Sequence, residues 1–184
     1  MEKVIVALWA PFGESREAFG ARLLHMLPDA LRKVGASSIR LNIRDEAVRP
    51  AEALTQRWLA PQQDAVVQFW LPSSNDIFRD EVDAVLAQVG EKYAAWLVCE
   101  STIISNTTHP VEVGKRTWGW SQASFISFRP DMTHEAVLAH WHGHHTRVAI
   151  DTQSNFEYVQ NLIVKPLTKD APAYGAFVEE CFPA

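Results

Sequence analysis

Apolar positions in this chain follow two periods, one close to two residues and one close to four, and the change from one to the other marks out its elements. Lys3 to Trp9 is an apolar, β-branched run closed by Pro11 and Gly13, which predicts a strand and a turn. Ser15 then stands at the N-cap of a helix in which Phe19, Leu23, Met26, Leu27, Ala30 and Leu31 recur at helical spacing, with Gly35 as the stop. Pro28 lies inside this pattern and predicts a kink. Ser37 to Ile43 reads as a second strand, the polar stretch through Pro61 and Gln63 as a connection, and Ala65 to Leu71 as a third strand. Phe78, Val82, Val85, Leu86 and Val89 mark a second amphipathic helix ending at Gly90, and Tyr93 to Cys99 a fourth strand.

The resulting order, β-α-β-β-α-β, is that of the ferredoxin-like fold, an antiparallel sheet with helices on one face. After a turn-rich bridge from Ser101 to Gln122 the pattern starts again: strand Ser124 to Arg129, capping Thr133, helix His134 to about Ile150, strand Phe156 to Val164. Ser15-Arg-Glu-Ala and Thr133-His-Glu-Ala are the matching helix starts. The expected fold class is α+β: two fused ferredoxin-like units, residues 1–110 and 118–184, whose antiparallel sheets form an α+β barrel. The second unit is incomplete, because Tyr174 to Phe182 supplies its third strand and nothing follows for the last helix and strand. The chain is truncated, a partner completes the edge, or the fold does without those elements; an uncovered edge favours a homodimer.

Composition narrows the functional classes. Hydrophobic residues make up 47% of the 184 and charged residues 21%, which is ordinary globular usage. The net charge of −5, without a dense Lys/Arg stripe, argues against nucleic acid as a partner. Cys99 and Cys181 allow one bridge at most, so reduced thiols are expected, with Cys99 a buried structural thiol. No uninterrupted apolar stretch is long enough for a membrane helix, so a cytoplasmic location is the default expectation.

Five of the seven histidines fall between His134 and His145, in THEAVLAHWHGHH. On a regular helix Val137, Trp141, His145 and Val148 share a face, and the apolar members turn that face, with His145, toward the sheet. His140 and His144 form a neighbouring i,i+4 pair without an HExxH signature or a nearby cysteine, so no metal site is expected. His145 is either a hydrogen-bonded structural histidine or a general acid/base. In the following strand Phe156, Tyr158, Gln160 and Leu162 alternate onto one face, and Glu157, Val159, Asn161 and Ile163 onto the other. Tyr158 is a candidate donor to an oxyanion, or else a half-buried tyrosine with its hydroxyl in water, and Phe156 would suit a planar ligand.

Trp141-x-x-x-His145, on the helix that follows a strand and a Thr-x-Glu start, resembles the W-x-x-x-H element of EthD-like proteins of the dimeric α+β barrel superfamily. The first unit has Leu23 and Leu27 at the aligned positions and so no copy of it. The resemblance implies an apolar pocket enclosed by curled sheets and a cofactor-free lyase or isomerase of dehydratase, cyclase or lactone-isomerase type. It would act on a small, apolar, aromatic or polyketide-like carbonyl compound. His145 and Tyr158 would be the catalytic residues, and Trp141, His144, Phe156 and Gln160 would bind the substrate. Two other readings remain open: a haem-binding barrel that uses one of His140, His144 and His145, and a non-catalytic ligand-binding or assembly module.

Overall fold

The helical spacing of Phe19, Leu23, Leu27 and Leu31 puts all four on one side of α1 (Arg16–Lys33), where each is buried. Ser15 caps this helix, its side chain accepting from the Ala18 amide. The structure is a computed structural model and describes residues 1–55 and 62–184; the end of the expected connection, through Pro61, falls outside the described residues. These residues form two compact units, 1–98 with 164–172, and 99–163 with 173–184.

In the first unit β1 (Glu2–Trp9) pairs antiparallel with β3 (Ala65–Leu71) on one side and with the start of β4 (Lys92–Ile104) on the other, and β2 (Ser37–Ile43) pairs with β3. The order across the sheet is thus β2-β3-β1-β4. A 3-10 helix (Glu46–Leu54) follows β2, and α2 (Asp76–Val89) joins β3 to β4. Val4, Val6 and Leu8 of β1 and Val67 and Phe69 of β3 meet α1 and Val82, Leu86 and Val89 of α2 in one apolar core. Arg79 of α2 is buried and paired: its guanidinium donates to the Ser74 and Leu167 carbonyls at 2.7 and 3.0 Å and pairs with Asp76 and Asp83.

The second unit contains β5 (Trp120–Ile126), α3 (His134–His140), one π-helical turn (Trp141–His145), α4 (Thr146–Thr152), β6 (Glu157–Pro166) and β7 (Ala176–Phe182). β7 lies between β6 and β5 and is antiparallel to both. Thr133 caps α3 through the Ala136 amide, as expected. Trp141, Ala149, Tyr158, Ala176 and Val178 form the buried core, with Phe128, Leu138 and Leu162 packed against it.

Helices on antiparallel strands make this an α+β chain. Three details differ from the expectation. β4 continues to Ile104 and β5 begins at Trp120, so the bridge is shorter at both ends. Cys99 is exposed, because alternation along β4 buries Val98 instead; Cys181 is the buried thiol. The helix expected to be continuous from His134 is interrupted by the π turn. No helix among the described residues is long and apolar enough to cross a membrane.

Candidate functional site

The π turn decides which side chains reach the sheet. Thr146 N–H bonds to the Trp141 carbonyl, five residues back rather than four, so one extra residue is wound into the helix. Trp141 stays buried, but the next inward position passes from His145 to Thr146, and the one after it from Val148 to Ala149. His145 and Val148 are exposed, which corrects the inward placement of His145. Gly143, at the centre of the bulge, is the one local sign of irregularity in the sequence.

Of the two faces of β6, the one bearing Tyr158, Gln160 and Leu162 meets this helical segment. Tyr158 and Gln160 are 1% and 2% exposed, so the reading of Tyr158 with its hydroxyl in water does not hold. The Gln160 amide donates to Thr146 Oγ1 at 2.8 Å and to the Tyr158 hydroxyl at 2.7 Å. Thr146 Oγ1 in turn donates to the Trp141 carbonyl at 2.8 Å. Trp141, Tyr158 and Gln160, three of the residues singled out in the sequence, are therefore brought together, with Thr146 as the residue that joins them.

Glu180 completes the constellation. It is the register partner of Tyr158 on β7 and is buried, 9% exposed, with Asn155 Nδ2 donating to its Oε1 at 3.2 Å. Burial pushes the Glu180 carboxyl above the usual carboxylate range, and the Asn155 hydrogen bond only partly offsets this. Burial likewise raises the Tyr158 phenol; the Gln160 hydrogen bond opposes the rise, the negative charge of Glu180 adds to it, and the polar groups of Trp141 and Thr146 also oppose it. Asn155 Oδ1 is buried without a hydrogen-bond partner. A phenol, a carboxyl of raised proton affinity and an unused acceptor thus sit at one end of the β6–β7 pair.

The other expected site residues lie elsewhere. His144 is exposed, its ring 5.1 Å from that of His140. Phe156, just ahead of β6, packs edge-on to His109 at 4.6 Å and lies 6.1 Å from Trp118. Among the described residues, no group of three or more His, Cys, Asp or Glu side chains is placed to hold a metal ion. Thr146, Asn155 and Glu180 were not foreseen. The one available signal was the Glu179-Glu180 pair inside the otherwise apolar run Ala176 to Phe182, since charge in a buried strand calls for a partner or a function. No protein-family profile matches the chain, and no curated protein sequence matches it.

Proposed function

We propose that the second unit is a cofactor-independent proton-transfer site, of lyase or isomerase type, for a small apolar carbonyl compound. The observation that carries this reading is the juxtaposition of Tyr158 and Glu180, facing residues of paired strands that are both buried and both shifted toward their protonated forms. A carboxyl with raised proton affinity is a stronger base than an ordinary carboxylate and can return the proton it takes. Glu180 would take the proton α to the carbonyl, the electron pair would move into the enolate, and the Tyr158 hydroxyl would donate to the enolate oxygen. Return of the proton to another carbon gives isomerisation, and loss of a β-hydroxyl as water gives dehydration. Asn155 Oδ1 offers the acceptor for a substrate hydroxyl.

The strand order of the first unit and the antiparallel β5, β6 and β7 of the second support the resemblance to ferredoxin-like units and, with the Trp141 element, to EthD-like barrel proteins. In this reading the acid/base role passes from His145 to Glu180, and substrate admission requires the α3–α4 segment to move off the sheet. Haem ligation has no comparable support, since His140, His144 and His145 are all exposed. One observation favours the non-catalytic module: Gln160, Thr146 and Tyr158 satisfy one another inside a closed core, as purely structural polar groups do.

Deuterium exchange at the α-carbon separates the two. A panel of aromatic ketones and lactones in D2O is expected to contain a compound whose exchange is accelerated by the protein, with the acceleration lost by about 100-fold or more in Glu180→Gln. Absence of exchange across the panel, or an unchanged rate in Glu180→Gln, refutes the enzyme and leaves the module.

A further inference from the structure

The histidines that the buried site leaves outside have a geometry of their own. His140 ends α3 and His144 lies in the π turn, so both sit on helical backbone, and both are exposed. Four residues span somewhat more than one turn of an α-helix and somewhat less than one turn of a π-helix, so the bulge keeps the two imidazoles stacked along one side of the cylinder. Their ring centres are 5.1 Å apart with planes tilted by 39°.

That separation is what a chelate needs. With metal–nitrogen bonds of about 2.0–2.1 Å and the ring centre about 1.1 Å behind the ligating nitrogen, two imidazoles on one ion have centres about 4.5 Å apart at the right angle of a tetragonal ion and about 5 Å apart at the tetrahedral angle, a span that small side-chain rotations cover. We propose that His140 and His144 form a two-imidazole binding site for a late first-row divalent ion, with Cu2+ held more tightly than Ni2+ or Zn2+. Imidazole is a good ligand for all three, and two rings already positioned by helical backbone lose little freedom on binding. Both rings are exposed, and among the described residues no other element of the fold comes within 4 Å of where a Cβ on Gly143, between them, would be. His142 is turned away, its ring 5.1 Å from that of Trp141. Since no third protein ligand is at hand among the described residues, water fills the remaining positions, and the ion stays open to an added ligand.

The test is titration of the untagged full chain with Cu2+, followed by calorimetry and by electron paramagnetic resonance, which reports the number of coordinated nitrogens. One ion per chain is expected, bound through two imidazole nitrogens. Affinity should fall at least about tenfold in His140→Ala and in His144→Ala, and change less than about twofold in His142→Ala/His145→Ala. All four positions are exposed, so circular dichroism of the variants should match the parent. Wild-type affinity in His140→Ala, an equal loss in the His142/His145 variant, or a spectrum with a single nitrogen would overturn the site and leave two rings that merely stack.

Discussion

The hydrogen bond between Gln160 and Tyr158 offers a test of the buried network that does not depend on any substrate. In Tyr158→Phe one Gln160 N–H keeps Thr146 Oγ1 while the other is left buried without an acceptor, a cost of about 1–3 kcal/mol. In Gln160→Leu the shape is roughly kept and Thr146 Oγ1 keeps the Trp141 carbonyl, but the buried Tyr158 hydroxyl loses the Gln160 donor, so about 1–2 kcal/mol is lost. The double variant strands neither amide nor phenol. Its loss should therefore fall short of the sum of the single losses by about 1 kcal/mol or more. Urea unfolding with linear extrapolation measures all four corners of the cycle, and unchanged m-values would show that the unfolded reference is comparable. Additivity within about 0.5 kcal/mol would refute the coupled network and reduce Gln160 to a filler of space.

Three further outcomes follow from the same geometry. Because the Glu180 carboxyl is raised in the folded state, the native protein binds the extra proton and its stability falls as pH rises above the ordinary glutamate value of 4.5. Glu180→Gln should remove that part of the slope, so its stability relative to the parent should grow between acid and neutral pH; parallel curves in pH-dependent urea unfolding would contradict the shift. Deletion of Gly143 should return the π turn to an α-helix with Trp141 and Thr146 still inward as an i,i+4 pair, leaving stability equal or up to about 1 kcal/mol higher by thermal melting. A loss of more than about 2 kcal/mol would mean that the bulge is needed for folding. Arg79→Met strips a buried cation from Asp83 and from the Ser74 and Leu167 carbonyls, and should cost about 3–5 kcal/mol in denaturant unfolding; a change below about 1 kcal/mol would show the cluster to be dispensable.

By itself the sequence determined what depends on neighbours along the chain. α1 runs over the residues its apolar spacing marks, Ser15 and Thr133 cap where short polar side chains precede helical periodicity, and alternation in β6 keeps Tyr158, Gln160 and Leu162 together on one face. Which face meets the helix, and which helical residues meet it, only the tertiary structure decided. Regular periodicity assigned the inward position to His145, and a single extra residue in the π turn gave it to Thr146. That turn is held by contacts no local pattern records: the Trp141 carbonyl accepts both the N–H and the hydroxyl of Thr146, and Gln160 reaches Thr146 from a strand fourteen residues on. Glu180 faces Tyr158 through the register of β6 on β7, and its proton affinity comes from the burial that this packing imposes. Periodicity is a local property of the chain, whereas register, burial and the shifted proton affinities belong to residues that only folding makes neighbours.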